Sequence, residues 1–410
     1  MRTRFSWLLG IAVLISVAML VACSSKYTSS NNGLVVVSTQ ANYVMDSFSV
    51  DLSNGHTAQI FNSNGPPTNG VPTTVVLDPA GAFAYVLVTQ STYVNDSATG
   101  VEAFSVASDG KLGSGTTTGL NPLGSIPVFP VAMVIDSEGK FLFVADAAVG
   151  SVSGAVSVLA VSNGTLSEVS GSPFPLPAQP GGTTPSASAL AVSRTVYPTA
   201  YALCSANVPP ATENLYVTDS VNYELVNYSV SSSGTLTLVP TASTPGIPTG
   251  KVPSGVTVDP CNRFVYVSNG QPDNSVSAYT ICNDISEPVC TAADFSLRSV
   301  GPAIPVGNSP GALMMDAYAS FLYVVDTGSN GISSYRVSTT TGSLTPLTPT
   351  PITTNPFPIS IAIRSDDTYM FVTNLNQATV SEYAITPATG ALTPQSPIQT
   401  DNFPWGVAVK

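Results

Sequence analysis

The stretch VTVDPCNRFVYVSN, residues 256–269, holds the pattern that decides the fold. It combines a short apolar strand, a polar turn that begins at Asp259, and a second strand with an aromatic residue between valines. Alternating β-branched and aromatic residues on both sides of a polar turn are typical of a β-hairpin. The same phrase recurs as VVLDPAGAFAYV (75–86), VIDSEGKFLFV (134–144), LMMDAYASFLYV (313–324), IAIRSDDTYMFV (361–372) and, after an insertion, ENLYV (213–217).

Each copy is followed by a third alternating strand and then by a tight turn, usually Gly-x-Leu. ELVNYSV at residues 224–230, for example, leads into Gly234-Thr235-Leu236. Glycine suits such a turn because it adopts positive φ without strain. A fourth, weaker strand completes a unit of about 50 residues, and four strands per repeat of this length are typical of a β-propeller blade.

The two ends of the chain complete the ring. Six units are whole, residues 34–61 supply strands two to four of another, and residues 403–409 resemble a first strand without its followers. Joining them leaves no open edge strand. The sequence therefore predicts an all-β, seven-bladed β-propeller with four antiparallel strands per blade, closed by N- and C-terminal strands within one blade.

The phrases FVYVSN (264–269) and YMFVTN (369–374) resemble the YVTN repeat of the lactonase-type seven-bladed propeller family. The resemblance covers residues 33–410 and implies the propeller fold. The family contains sugar-lactone hydrolases resembling 6-phosphogluconolactonase, cycloisomerase-like enzymes, and surface proteins with no known reaction. The motif concerns packing and turns, so it transfers no catalytic residue to this chain.

The N-terminus has the features of an export signal. Arg2 and Arg4 precede an apolar run that ends in Leu20-Val21-Ala22-Cys23, which resembles the lipobox of bacterial lipoproteins. This predicts a signal peptide at 1–22, a lipidated Cys23 with a polar tether at 23–32, and the propeller at 33–410. An uncleaved anchor helix is the alternative. Ser24 in place of Asp favours the outer membrane, by analogy with lipoprotein sorting, within an overall location at the cell envelope.

The charge balance excludes several partners. Charged residues make up 9% of the chain and the formal net charge is −12. Such a surface repels nucleic-acid phosphates and anionic lipid headgroups. We therefore expect no nucleic acid partner, and membrane attachment through the N-terminal lipid alone.

Four cysteines remain after Cys23, and an oxidising compartment permits them to form disulfides. Cys282 and Cys290 bracket the three–four hairpin of one blade, and Cys204 and Cys261 lie in one–two turns of neighbouring blades. We expect the pairs 204–261 and 282–290. Because no Cys-x-x-Cys spacing occurs and the chain has a single His, no metal or cofactor is expected.

Candidate binding residues follow from the repeat. An Asx residue stands three positions after five aromatic anchors and predicts a polar ring on one face, although turn capping is the alternative. Arg364 replaces the Asp that ends most first strands, and could pair or contact an anion. Lys251 is the clearest basic residue on the predicted binding face. His56 lies at a turn position whose residue differs from blade to blade, so we do not expect it to act as a catalyst. The polar ring consists of Asp146, Asp219, Asn269, Asp326 and Asn374.

No catalytic constellation appears in the sequence. The leading prediction is thus a cell-envelope lipoprotein whose propeller is a binding or interaction module for an envelope protein or a carbohydrate-like small molecule. The alternative is a lactonase-like hydrolase that acts on a sugar lactone at the channel mouth with residues from separate blades. A purely structural surface protein is a third, weaker possibility.

Overall fold

The computed structural model describes residues 32–51, 57–60, 65–89, 99–121, 129–178, 181–193, 213–239, 245–283, 290, 294–347 and 351–410. Cys23, His56 and Cys204 lie outside them. Within these ranges the chain forms 33 strands and two short 3₁₀ helices, Thr327–Ser329 and Leu375–Gln377. No helix in the described ranges has the length and apolar character needed to cross a membrane.

The strands follow one another in seven groups. The first half contains β1 (Asn32–Thr39), β2 (Val44–Asp51), β3 (Thr57–Gln59), β4 (Val71–Leu77), β5 (Phe83–Thr89), β6 (Gly100–Ser105), β7 (Thr116–Gly119), β8 (Pro130–Ile135), β9 (Phe141–Asp146), β10 (Ala155–Ser162), β11 (Thr165–Glu168), β12 (Phe174–Pro175), β13 (Ala187–Val192), β14 (Glu213–Asp219), β15 (Glu224–Val230), β16 (Leu236–Leu238) and β17 (Gly246–Pro248). The second half contains β18 (Pro253–Val258), β19 (Phe264–Asn269), β20 (Ser275–Ile281), β21 (Leu297–Ser299), β22 (Ile304–Pro305), β23 (Pro310–Met315), β24 (Phe321–Asp326), β25 (Gly331–Val337), β26 (Leu344–Pro346), β27 (Ile352–Thr353), β28 (Pro358–Ile363), β29 (Tyr369–Asn374), β30 (Thr379–Thr386), β31 (Ala391–Pro394), β32 (Ile398–Gln399) and β33 (Pro404–Val409).

Each group is an antiparallel sheet, and the seven sheets are the predicted blades. Blade I joins both ends of the chain in the order β3-β2-β1-β33, and blades II to VII begin at β4, β8, β13, β18, β23 and β28. Blades III to VII each add a short fifth strand that pairs with strand three beyond the end of strand four. The seven-bladed all-β prediction and its closure are therefore confirmed.

The core consists of seven apolar clusters, one at each seam between neighbouring blades. Strand two of each blade contacts both neighbouring blades, which is why all six residues of β19 are buried, including the polar Ser268 and Asn269 at its end. The aromatic anchors Tyr85, Phe143, Tyr216, Tyr266, Tyr323 and Phe371 are all fully buried. Stability therefore comes from blade-to-blade packing, which a single blade cannot provide.

The ring has two faces that we name by their loops. The upper face carries the turns between strands two and three and the connections from each blade to the next. The lower face carries the one–two and three–four turns. The innermost strands β33, β4, β8, β13, β18, β23 and β28 contact one another in a closed circle around the central channel.

The predicted local disulfide is present, since Cys282 and Cys290 are bonded. Cys261 is also disulfide-bonded. Because Cys204 lies outside the described residues, the 204–261 pairing stays a prediction.

Candidate ligand-binding mouth

The five predicted ring residues are buried at the upper ends of strand two, with 0–3% of their surface exposed. Three of them accept backbone N–H groups from the connection that enters their own blade. Asp219 Oδ1 accepts from Ser186 N at 3.0 Å, and Asn269 Oδ1 accepts from Gly250 N at 3.0 Å. Asp326 accepts in the same way from Gly307. These contacts support the capping alternative, and a ligand-binding role for the ring stays a prediction.

Most ring residues also bond a serine of strand three. Ser157 Oγ donates to Asp146 Oδ2 at 2.7 Å, and Ser333 Oγ donates to Asp326 Oδ2 at 2.6 Å. Burial removes water from these carboxyls and so raises the pKa of Asp146 to about 7 and that of Asp326 to about 6. Asp146 and Asp326 therefore hold their protons more tightly than free carboxyls do.

Blades I and II place their buried acid on strand three instead, which sequence reasoning missed. Asp46 accepts from Asp401 N at 3.2 Å, and Glu102 Oε1 accepts from Asn69 N at 2.6 Å. Burial is the main cause that raises the pKa of Asp46 to about 6. The signal available in the sequence was an acid within an otherwise apolar third strand.

Strand one of each blade bulges just after its first or second residue, near the upper mouth of the channel. A bulge frees a carbonyl from the ladder, and hydroxyl groups of the preceding blade bind several of these carbonyls. Ser254 Oγ donates to Pro310 O at 2.7 Å, and Thr373 Oγ1 donates to Trp405 O at 2.8 Å. The abundant Ser and Thr residues at the mouth therefore join blades together.

An apolar collar surrounds this mouth. Eight of the nine exposed large apolar side chains in the described ranges lie on the upper face, and the ninth, Tyr318, lies on the lower face. The collar consists of Phe129, Val149, Val221, Tyr223, Val252, Phe357, Phe403 and Trp405. Exposed apolar patches of this kind commonly mark ligand-binding surfaces.

Three collar residues sit directly before the proline of strand one in a left-handed backbone. Val252 has φ 51°, Phe357 has φ 61° and Phe403 has φ 58°. The geometry points their carbonyls at the neighbouring two–three turn, where Gly270 N donates to Val252 O at 2.9 Å. Glycine or asparagine would adopt this backbone with less strain. Bulky exposed side chains here are thus unfavourable for folding, which points to a role in binding.

An exposed acid and an exposed base adjoin the collar in blade V. Lys251 N donates to Asp273 Oδ2 at 2.7 Å, and both residues are exposed. Asp273 also lines a polar groove of about 460 Å³ that reaches Tyr279 and Ser299. Lys251 is the sole Lys or Arg that the described residues place on the upper face.

On the lower face, the Asp residues that end strand one cap the following turn. Asp136 Oδ1, for example, accepts from Lys140 N at 2.7 Å. Arg364 stands in this position in blade VII and pairs with Asp366 at 2.5 Å. No group of three or more His, Cys, Asp or Glu side chains suited to a metal ion occurs in the described part of the chain.

The fold defines the class of protein, a seven-bladed β-propeller whose described exposed apolar side chains lie mostly around one end of its channel. Residues 291–405 match the family model described as lactonase, 7-bladed beta-propeller. The resemblance to the lactonase-type propeller family is thereby confirmed. No curated protein sequence matches the chain significantly.

Solved structures share the whole ring. A putative 6-phosphogluconolactonase from Bacteroides fragilis has a TM-score of 0.70 and 16% identity, over 93% of this chain and 99% of that one. A periplasmic gluconolactonase from Pseudomonas aeruginosa has a TM-score of 0.69 and 15% identity, over 92% of this chain and 99% of that one. At this identity the likeness establishes the fold.

Proposed function

We propose that the chain binds a sugar lactone at the upper mouth of its channel and hydrolyses it. The collar carries the proposal, because it holds apolar rings in solvent around the mouth of a lactonase-type propeller. Aromatic faces can cover one face of a cyclic sugar while nearby polar groups fix its hydroxyls. The names of the two similar structures, a putative 6-phosphogluconolactonase and a periplasmic gluconolactonase, support a sugar lactone as the substrate class.

The charge at the mouth favours a neutral lactone. A phosphorylated sugar is usually bound by several Arg or Lys side chains. Lys251 is the one basic residue on the described upper face, and the chain as a whole has a net charge of −12. We therefore expect an unphosphorylated sugar lactone to be preferred over a phosphorylated one.

Hydrolysis requires a water molecule to add to the lactone carbonyl, after which the ring C–O bond breaks and a hydroxy acid is released. A carboxylate can accept the proton of the water, and a cation can stabilise the oxyanion. Asp273 and Lys251 provide these two groups beside the collar. We assign them the roles of base and oxyanion stabiliser.

A non-catalytic binding module is the second candidate. It is favoured by the way the buried carboxyls are used, since Asp219 and Asp326 already bond groups of their own blade. In this case the collar would bind a carbohydrate-like molecule and release it unchanged.

The decisive experiment measures hydrolysis of δ-gluconolactone by protein beginning at Lys26, relative to the spontaneous rate. We expect turnover that falls about 100-fold in Asp273→Asn. Asp109→Asn, an exposed acid of the lower face, is the matched control and should keep full activity. Saturable binding without turnover would establish the second candidate, and neither binding nor turnover would refute both.

We also propose that the protein is a lipoprotein of the cell envelope, held in the outer membrane through Cys23. The lipobox-like sequence supports this. Strand β1 begins at the lower face, so a tether ending at Asn32 would leave the upper mouth pointing away from the bilayer. Replacement of Cys23 by Ala should move the protein from the membrane to the soluble fraction, and unchanged fractionation would contradict the proposal.

A further inference from the structure

Two basic residues of the lower face occupy a position at which other blades carry an acid. Strand one is followed by a turn-capping Asp in four blades, namely Asp78, Asp136, Asp259 and Asp316. Blade VII has Arg364 there and blade I has Lys410. A cation cannot accept the N–H groups of the turn, so these two residues do not perform the capping role.

Both bases line one cleft, which lies between blades VII, I and II and has a volume of about 800 Å³. Most of the remaining lining residues are small, including Gly33, Ala80 and Ser108. Small residues leave space above the two cations and expose backbone groups. The cleft is on the face opposite the collar, so nothing in this inference depends on the proposed lactone hydrolysis.

Arg364 is held in place but keeps unused donors. Its side chain is 10% exposed, its Nη2 pairs with Asp366, and its Nη1 donates to Thr368 Oγ1 at 3.2 Å. A guanidinium group has five N–H donors. Three of them therefore have no partner among the described residues, while the two existing contacts fix the direction of the group.

The position of Lys410 is also prepared by its surroundings. Its ammonium donates to the carbonyl of Ala80. A Cβ atom added to Gly81 would lie 2.2 Å from Lys410 Cδ, so the stem of Lys410 packs closely over Gly81.

Three charged side chains line the cleft, two of them basic and one acidic. Arg364 and Lys410 face it together with Asp109, which is paired with Lys111 at 3.3 Å. Asp366 neutralises part of the charge of Arg364. In a chain with 12 basic and 24 acidic residues, a cleft lined by two basic side chains and one acidic side chain differs from the rest of the surface.

We infer that this cleft binds a small oxyanion, a carboxylate or a phosphate, through Arg364 and Lys410. The planar guanidinium group matches two oxygens of such a ligand, and the ammonium adds a second charge.

The test is calorimetric titration of protein from Lys26 onward, which contains every described residue, with sodium gluconate and with inorganic phosphate. Sodium chloride at equal ionic strength corrects for screening. We expect saturable binding that weakens about tenfold in Arg364→Gln and in Lys410→Gln. Lys140→Gln, which removes an exposed lysine of the same face, should bind like the parent protein.

Lys410 is exposed, so Lys410→Gln should fold normally. Arg364→Lys should restore part of the affinity that Arg364→Gln loses. Preference for gluconate would identify an organic carboxylate as the ligand, and preference for phosphate a phosphorylated one. Absence of saturable binding, or binding that neither Gln variant weakens, would overturn the inference.

Discussion

Glycine in the three–four hairpin turn meets two requirements at once. Gly342 has φ 70°, and a Cβ atom added to it would lie 2.5 Å from Phe264 Cδ1 in the preceding blade. The same geometry recurs where Gly390 meets Phe321. The sequence predicted the turn from its Gly-x-Leu pattern, but the contact depends on how blades meet and could not be predicted from one repeat.

Gly342→Ala should destabilise the ring by about 2 kcal/mol, since it combines an unfavourable positive φ with a steric clash against a buried aromatic ring. Urea unfolding would measure this loss. Gly301→Ala is the control, because its added Cβ would contact nothing within 4 Å. Equal stability of the two variants would show that the seam accommodates a methyl group.

The same glycine accepts a hydrogen bond that secures the seam. Tyr266 Oη donates to Gly342 O at 2.9 Å, whereas the hydroxyl of Tyr85, the equivalent anchor of blade II, has no partner among the residues that the structure describes. Tyr266→Phe should therefore cost about 1 kcal/mol, because the buried carbonyl loses its donor. Tyr85→Phe should be neutral or slightly stabilising, and chemical denaturation of both variants checks the difference. A larger loss in Tyr85→Phe would contradict this account.

At the scale of the strand, the start of strand one contains a feature that could not be predicted from the sequence. The apolar residue before each proline was visible in Phe129-Pro130, Val252-Pro253, Phe357-Pro358 and Phe403-Pro404. The sequence did not reveal that these apolar residues are exposed, because an apolar residue beside a strand is usually buried. The left-handed backbone and the inter-blade hydroxyl bonds arise from ring closure, so the collar emerged only from the structure.

Phe357→Asn tests whether the collar serves binding or folding. Asparagine adopts φ near 60° more readily than phenylalanine, and the side chain it replaces is 42% exposed. Thermal stability should therefore be unchanged or slightly higher, while the KM for δ-gluconolactone rises about tenfold. Ser309, already small and at φ 49° in the equivalent position of blade VI, offers the control Ser309→Asn, which should change neither quantity. Lower stability with unchanged KM in Phe357→Asn would assign the collar to folding.

The whole molecule is a ring closed by a few residues at each end of the chain. Strand β33 pairs with β1 and also contacts β28 and β4, so it belongs to two seams as well as to its own blade. This closure was predictable because the missing strand at one end of the sequence matched the surplus strand at the other.

Deletion of residues 403–410 should open the ring, expose the apolar clusters on both sides of blade I and abolish cooperative unfolding. Circular dichroism during heating, with size-exclusion chromatography for aggregation, would measure the effect. Trp405→Ala, which changes an exposed side chain of the same strand, should keep a cooperative transition. A cooperative, monomeric deletion variant would show that six blades suffice.

Buried carboxyls distributed around the whole ring set its response to pH. Burial is the largest cause that raises the pKa of each group, to about 6 for Asp46 and Asp326, about 7 for Asp146, Asp316 and Glu382, and about 8 for Glu213. The folded protein therefore binds these protons more tightly than the unfolded chain. Their stabilising contribution is complete below about pH 4 and is lost as the pH rises through 6 to 8. The unfolding midpoint should accordingly be higher at pH 5 than at pH 8.

Asp326→Asn isolates one of these groups. Asn269 and Asn374 already occupy the equivalent position in blades V and VII and bond the same serine of strand three, so the substitution preserves the local geometry. The variant should gain about 2 kcal/mol over the parent at pH 8, where the parent must hold a buried charge, and should differ little from it at pH 5. Urea unfolding at both pH values measures this. If Asp326→Asn were equally destabilised at pH 5 and pH 8, Asp326 would be ionised and fully paired at both pH values. A higher stability of the parent protein at pH 5 would then come from its net charge alone.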